Sequence, residues 1–404
     1  MKVAIIGGGA SGLFAAAVIS KYCSVTVFER NEKAGKKIYI TGKGRCNFTN
    51  LCLPSEFLTN VVRGDKFLIS AINSFPPQKA VAFFNENGLK SVVERGNRVF
   101  PASNKASDVT ATLLKAIERN GGQIIYNARV KSVAFDQQGF VVCVNDSKVS
   151  YDKIIVATGG ISYPGTGSDG DGYKLALNVG HTIVPTRAAL CPIILRDDVT
   201  ELEGLSLKNV TVKAVCGKKE FSQFGEMLFT HNGVSGPCVL TLSSLINRID
   251  EKKTLCIDLK PALTFEELDK RVLRDFDQNI NRDYRNALDD LLPKSLIPYV
   301  IKRSNISPTK KVNLISKEER QSLVRLLKNL TFEIVGLDKI DVSIVTSGGV
   351  NLKEINPKTM ESKKISGLYF VGEVLDIDAL TGGYNLQVAW ATAYAAARHI
   401  GEQV

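Results

Sequence analysis

The sequence predicts an α/β protein: a Rossmann-type dinucleotide-binding domain built from both ends of the chain and interrupted by an inserted β-rich domain with a helical subdomain. Three observations predict it. The first thirty residues spell strand, glycine turn, helix, strand and acid. A second glycine-rich strand-turn-helix runs from Gly367 to about His399. Between about 191 and 345 the texture changes to short β-like runs around a charged, helix-rich stretch.

The opening unit comes first. Lys2-Val3-Ala4-Ile5-Ile6 feeds into Gly7-Gly8-Gly9-Ala10-Ser11-Gly12, a G-x-G-x-x-G turn. An alanine-rich helix from Leu13 to Tyr22 follows, then the run Val25 to Phe28, which ends on Glu29. Gly7 lets the chain turn out of the strand, Gly9 leaves no Cβ between backbone and a pyrophosphate, and Gly12 lets the helix lie close to the sheet. The N–H groups of the helix start, those of Ala10 and Ser11 included, carry the positive end of the dipole and form an anion site. Glu29, 22 residues after Gly7, is placed to accept from both hydroxyls of an adenosine ribose and would repel a 2′-phosphate, which favours FAD or NAD over NADP. A secretory signal would also begin with a lysine and an apolar run, but three consecutive glycines and a complete βαβ pattern argue against it.

With 404 residues, 44% apolar and 23% charged, the chain has the composition of a globular protein of two or three domains. No run of 18 apolar residues predicts a membrane span. The eight cysteines (23, 46, 52, 143, 191, 216, 238, 256) include no C-x-x-C pair, which suits a reducing compartment, so cytoplasm is the expected location. Three distant histidines, 181, 231 and 399, predict neither a metal cluster nor a histidine triad. The net charge of +11 is spread along the chain and reads as solvated basicity, apart from the cluster Lys33 to Arg45, where a bound phosphate is the expected partner.

That cluster lies in a glycine- and lysine-rich loop, Ala34-Gly35-Lys36-Lys37 and then Thr41-Gly42-Lys43-Gly44-Arg45-Cys46-Asn47. Such a loop cannot build a core, so its donors and cations are expected to meet something negative. Helix is predicted from Gln78 to Asn87 and from Ser107 to Arg119 with Ser107 as N-cap, and strand at Ser91 to Val93 and Gln123 to Tyr126. Val130 to Phe135 and Phe140 to Val144 read as a hairpin around Gln137-Gln138-Gly139. Lys153 to Ala157 reads as a buried strand ending in Thr158-Gly159-Gly160, again bare backbone at a strand's carboxyl end. Gly165 to Gly170 repeats G-x-G-x-x-G but follows Tyr163-Pro164 and precedes no acid-tipped strand, so no second, nicotinamide-binding Rossmann unit is expected.

The expected divisions are 1–190 and 346–404 for the dinucleotide domain and 191–345 for the insert, β-rich at 191–262 and 331–345 and helical at 263–330, where charge runs read as solvated helix faces. In the closing segment, Gly367 to Glu373 reads as a strand ending in glycine and acid. Gly382-Gly383-Tyr384-Asn385-Leu386-Gln387 opens a helix whose alanines allow close packing on the first helix, and its start is a second anion site.

Six segments together resemble the BaiN/YhiN-type flavoproteins, also called aminoacetone oxidase family FAD-binding enzymes: Gly7 to Gly12, Thr41 to Asn50 (T-G-K-G-R-C-N-F-T-N), Ala157 to Gly160, Leu228 to Pro237, Thr359 to Ser362, and Gly372 to Asp376 through Gly382 to Gln387. G-R-C-N-x-T-N and G-G-Y-N-L-Q are far more specific than a glycine fingerprint. The resemblance implies a glutathione-reductase-like FAD-binding Rossmann domain interrupted by an inserted β-barrel-like domain with a helical subdomain, with FAD held by Gly7, Gly9, Ala10, Ser11 and Gly12 at the pyrophosphate and by Glu29 and Arg30 at the adenosine. Thr41, Gly42, Lys43, Gly44, Arg45, Cys46 and Asn47 would lie along the ribityl and flavin side, Lys36 and Lys37 would add cations to the cofactor site, and Val130 would offer backbone to the adenine. Ala157, Thr158 and Gly159 would bring backbone against the cofactor, and Gly372, Glu373, Gly382, Gly383, Asn385, Leu386 and Gln387 would close over its pyrophosphate, ribityl and pyrimidine edge. Lys43 departs from many relatives, which have serine or glycine there.

The implied chemistry is hydride transfer between FAD and a small or hydrophobic organic substrate bound between the FAD domain and the insert, with NAD(P)H or oxygen as redox partner. The alternative is an RNA-acting flavoprotein or a flavin-bound RNA-binding module. No catalytic residue is assigned. Cys46 reads as a packing residue, His231 as facing the substrate or stabilising a turn, and Thr359 and Glu361 as lining the flavin face without a catalytic role.

Overall fold

A computed structural model describes residues 1–136 and 139–404. The described residues form two compact units, Met1–Ala189 with Ile340–Val404, and Leu190–Lys339.

The first unit is organised by five parallel strands, β1 (Lys2–Ile6), β2 (Ser24–Phe28), β3 (Gln123–Ile125), β4 (Lys153–Val156) and β5 (Leu368–Phe370), in the order β5-β4-β1-β2-β3. Val3 pairs with Lys153 on one side and Val25 on the other, and Ile154 pairs with Leu368. Val3 to Ile6 and Ile154 to Val156 are buried, as expected of parallel strands covered on both faces. The chain leaves β1 for β2 on one side and returns to its other side at β4. The carboxyl ends of β1 and β4 therefore flank a topological switch point.

Helix α1 (Ala10–Ile19) begins three residues before Leu13 and stops short of Tyr22. The glycine turn itself nucleates it, with Gly9 as N-cap, and Tyr22 sits in the turn that feeds β2. Helix α2 (Tyr384–Gly401) packs against α1 through a buried aromatic group, with Phe14 5.4 Å from Trp390 and 5.2 Å from Phe75 between ring centroids. Polar bonds fix the junction. Trp390 Nε1 donates to the Phe48 carbonyl (2.8 Å), Thr49 Oγ1 donates to Gln387 Oε1 (2.7 Å), Gln387 Nε2 donates to the Phe75 carbonyl (2.8 Å), and Asn50 Nδ2 donates to the Gly382 carbonyl (3.1 Å). The two most specific motifs of the sequence thus hold each other.

Several local expectations are corrected. Part of the glycine- and lysine-rich loop is helical, Lys36–Ile40, because Gly35 takes a left-handed φ of 72° that turns the chain into it. Ser107 is not an N-cap: the helix is Ala106–Arg119, capped by Lys105 backbone, and the Ser107 hydroxyl meets Asp108. A third strand, Ser147–Tyr151, joins Val130–Asp136 and Gly139–Val144 in an antiparallel meander. The expected turn at Gln137-Gln138 lies outside the described residues.

The second unit is a closed barrel of six strands: Ile193–Leu195, Gly233–Ser235, Lys219–Thr230, Ser206–Cys216, Lys253–Asp258 and Leu330–Leu337, the last closing on the first. Helices Phe265–Gln278, Ile297–Ser304 and Lys317–Lys328 share its apolar core. Two of them start with capping boxes, Thr264 with Glu267 and Ser316 with Glu319, so their first turns are satisfied locally. Among the described residues no helix is long and apolar enough to cross a membrane.

A buried His181 ties the segment before β5 to the sheet. Its Nε2 lies 2.8 Å from Ser362 Oγ and its Nδ1 3.0 Å from Glu354 Oε2. Ser362 Oγ already accepts the Lys364 and Ile365 N–H groups, so its own proton goes to Nε2 and the imidazole proton sits on Nδ1. Burial lowers the His181 pKa, outweighing the Glu354 bond and charge, which raise it. Burial alone would raise Glu354, but the Lys364 ammonium and the Thr182 N–H and hydroxyl bring it to about 2.

Two predictions follow from these contacts. Both groups are depressed relative to the unfolded chain, so each contributes stability that is complete above its ordinary pKa and is lost as pH falls through its folded value. Thermal midpoints measured from pH 8 downward should fall first below the ordinary histidine range and again as Glu354 protonates, and His181→Phe should abolish only the first step. Gln387→Leu strands the Thr49 hydroxyl and the Phe75 carbonyl and should lower unfolding free energy by about 1–3 kcal/mol in a denaturant titration.

Candidate cofactor site

At the carboxyl edge of the sheet the turns are zipped together in order. Gly7 N–H donates to the Phe28 carbonyl, Ala157 N–H to Ile6, Val371 N–H to Val156, and Gly35 N–H to Gly8, all at 2.8–3.0 Å. Gly7 to Gly12, Glu29, Ala157 to Gly159 and Gly372 are thereby brought to one edge. Gly372 lies directly on α1, where a Cβ would stand 2.5 Å from Ser11 Oγ, and its N–H is held by Thr392 Oγ1 (3.0 Å).

The start of α1 has no side-chain cap. A Cβ on Gly9 would meet nothing within 4 Å, whereas one on Gly12 would stand 1.9 Å from the Gly7 carbonyl oxygen. Gly9 therefore faces open space beside unpaired amide donors, and Gly12 permits the turn itself. Glu29 is buried behind it: Oε2 accepts from Gly8 N–H (2.8 Å), and Oε1 from the Asn31 N–H and Nδ2 (2.8 Å each). A carboxylate has about four acceptor positions, so the Oε2 side retains one.

At α2, Gly383 has φ 97°, and a Cβ there would lie 2.5 Å from the Thr49 carbonyl and 2.9 Å from Asn47 Oδ1. That Asn47 oxygen is buried without a protein hydrogen-bond partner, as is Thr158 Oγ1 beside Gly172. The loop leading into Asn47 is strained, with Lys43 (φ 57°) and Cys46 (φ 59°) both left-handed. Lys43 is exposed. Cys46 is fully buried and its thiol is pushed up to about 12 by burial, an inert packing group.

Not every expected residue points into this edge. Most of the Lys33 to Arg45 cations have protein partners in place of the expected phosphate. Lys33 lies over the Tyr39 ring, Lys36 pairs with Glu32 (3.0 Å), and Arg45 pairs with Glu94 and stacks 4.3 Å from the Phe100 centroid. Arg30 pairs with Asp169 and Asp171, and Arg129 shares both carboxylates. The second G-x-G-x-x-G thus ends in a carboxylate pair, the opposite of an anion site. Val130 is a buried meander residue opposite Val144.

Asn385 spends its side chain on Ala379 and Leu380, and Leu386 packs on the core. Thr41 Oγ1 bonds the Lys37 carbonyl. Glu361 accepts from the Gly367 N–H (2.7 Å) and Thr359 bonds the Glu361 N–H, so both shape the turn into β5. His231 is exposed and meets Glu203 (3.1 Å), which favours the turn role.

Sequence reasoning missed a bridge at the edge of the sheet. Lys37 Nζ meets Glu373 Oε2 (2.8 Å) and Ser162 Oγ (2.6 Å), while Glu373 Oε1 also accepts from Ser162 and from Thr346 N–H (2.9 Å). Ser162 and Thr346 carry no local signal, because their roles depend on partners far away in sequence.

A parallel sheet with a switch point, an uncapped glycine helix start and an acid at the tip of β2 define a dinucleotide-binding Rossmann protein. The family model described as "HI0933-like protein Rossmann domain" matches residues 1–399. The chain belongs to this family of FAD-binding oxidoreductases. It is 36% identical over 99% of its length to the ribosomal RNA dihydrouridine synthase of Haemophilus influenzae (98% of that protein) and 32% identical over 98% to that of Escherichia coli (97%). It is 31% identical over 100% to the 3-dehydro-bile acid delta(4,6)-reductase of Clostridium scindens (99%). The structure of 3-ketosteroid delta1-dehydrogenase from Sterolibacterium denitrificans shares the fold, with a TM-score of 0.54 at 13% identity, covering 100% of this chain and 99% of that one.

The residues present fit FAD at the points a fit requires: open space at Gly9, free amide donors on α1 and a spare acceptor on Glu29. Gly9 has φ −82° and ψ −167°, open to any residue, so Gly9→Ala should leave the thermal midpoint of the apoprotein unchanged. The same change should weaken FAD binding by at least about tenfold, about 1.4 kcal/mol, in a fluorescence titration. Gly12→Ala should instead destabilise the apoprotein by about 1–3 kcal/mol.

Proposed function

We propose that this protein reduces the C5=C6 bond of a uracil in ribosomal RNA, with FAD as the bound cofactor and NADH or NADPH as the electron source. The observation that carries this reading is the near end-to-end relationship to two proteins named ribosomal RNA dihydrouridine synthase. Dihydrouridine is uridine with two hydrogens added across a double bond conjugated to the C4 carbonyl. A hydride adds at C6, negative charge spreads to the C4 oxygen, and a proton completes C5.

FAD supplies the two-electron chemistry when bound. In this reading the α1 amides from Gly9 to Gly12 hold the pyrophosphate, and Glu29, fixed by Asn31 and Gly8, accepts from the adenosine ribose. Arg30 and Val130 flank the adenosine. The backbone of the Lys36-Lys37 turn and of the loop Thr41 to Asn47 would lie along the ribityl and flavin side, the side chains of Lys36, Lys37 and Arg45 being engaged in the protein, with Ala157, Thr158 and Gly159 bringing backbone against the cofactor. Gly372, Glu373 and the start of α2 close the site. Asn385 acts through its backbone N–H, since its amide is engaged in the protein, whereas Gln387, whose N–H is bonded to the Gly383 carbonyl and whose amide meets Thr49 and Phe75, holds the turn from behind. The positive end of α2 would stabilise negative charge on a reduced flavin ring. An rRNA substrate places the protein in the cytoplasm.

A second reading, reduction of a small hydrophobic enone, is favoured by the Clostridium scindens relative. Anaerobic holoprotein reduced with NADH or NADPH should be reoxidised by unmodified rRNA fragments, with dihydrouridine appearing in the nucleoside mass spectrum. Reoxidation by a steroid 4,6-dien-3-one, with rRNA left unchanged, would move the assignment to the second reading.

A further inference from the structure

We propose that a groove in the helical part of the second unit binds a single-stranded segment of the RNA substrate. The proposal rests on the RNA reading above and adds a contact distinct from the nucleotide-binding turns.

Residues 291–317 contain six Lys or Arg (294, 302, 303, 310, 311, 317) and no Asp or Glu, in a chain that carries 52 basic and 41 acidic residues overall. Three of the six are neutralised by acids outside the run: Arg303 by Asp197 (3.5 Å), Lys310 by Glu319 (2.7 Å) and Lys311 by Asp283 (2.9 Å). Lys294 and Lys302 are exposed, and among the described residues no salt bridge within 4.0 Å engages either, although the Lys302 charge also acts on Asp198 at longer range. Both line a groove of about 970 Å³, together with Arg285. Arg285 reaches Asp283 only at 3.6 Å, a carboxylate that Lys311 already holds.

The groove floor is apolar, formed by the buried Ile297, Ile301 and Ile306, with exposed Pro298 and Pro308 at its sides. Exposed Asn286 and Asn305 add amides that both donate and accept, and Asp289 is the single carboxylate in the lining. Cations, apolar side chains and amides lining one groove match a strand whose phosphates meet the cations while unstacked bases lie against the apolar side chains. A duplex keeps its bases stacked inside and has no use for such a floor. The expectation that charge runs in this region are only solvated helix faces does not account for two lysines without a salt bridge lining one apolar groove.

The test uses full-length holoprotein and a fluorescent single-stranded rRNA fragment titrated across a range of KCl concentrations. Three proteins are compared: wild type, Lys294→Gln/Lys302→Gln, and a control with the same charge change on the barrel hairpin, Lys218→Gln/Lys219→Gln. Flavin absorbance per chain and the thermal midpoint report whether each protein is folded and loaded. The groove variant should bind about tenfold more weakly, with its log K against log salt slope shallower by about 1.4, or 0.7 for each lost phosphate contact. The control should change less than about threefold, as expected for non-specific charge alone. Equal losses in both variants, or no loss in the groove variant, overturn the proposal while leaving the RNA reading intact. Wild-type holoprotein that binds no RNA overturns the RNA reading itself.

Discussion

The amide of Gln387, with no exposure at all, accepts from Thr49 and donates to the Phe75 carbonyl, and on that pair of bonds depends the meeting of the two ends of the chain. A dinucleotide site made of bare backbone donors cannot hold itself together, since any side chain that satisfied those donors would compete with the ligand. The rigidity has to come from behind. Asn50 on Gly382, Trp390 on Phe48 and the packing of Phe14, Phe75 and Trp390 supply it, so that α1 and α2 present their starts at the same edge of the sheet.

The charged groups are preorganised in the same manner. Glu29 is clamped by three N–H donors before any ribose arrives, and Lys37, Glu373, Ser162 and Thr346 form one closed network. Fixing these groups in the protein removes an ordering cost from ligand binding. It also explains why so many cations of the lysine-rich loop are already paired: in a chain of net charge +11, free cations at a glycine turn would bind any anion, while paired ones leave selection to backbone shape.

Features with local causes were legible in the sequence. β1, the glycine turn, β2 and Glu29 follow from apolar runs and a fixed spacing, the small-residue character of the last helix foretold its packing on the first, and β-like runs foretold a β-rich insert. Features with distant causes were not. The Gln387 amide carries no local signal of its structural role, because its side-chain partners Thr49 and Phe75 lie 338 and 312 residues away. Arg45 read as a phosphate cation because Glu94 and Phe100 approach it only in three dimensions. Ser107 looked like a cap by residue type, but the helix starts one residue earlier. The short helix Lys36–Ile40 depends on the left-handed Gly35, which composition alone reads as loop.

The central claim is that one adenine-flavin molecule is gripped by the starts of α1 and α2 together. Hydrogen exchange of the full-length protein with and without FAD tests it directly. At one FAD per chain, slowed exchange is predicted in both Gly7–Leu13 and Gly382–Gln387. Protection confined to one of these segments, or absent from both while flavin is bound, would contradict it.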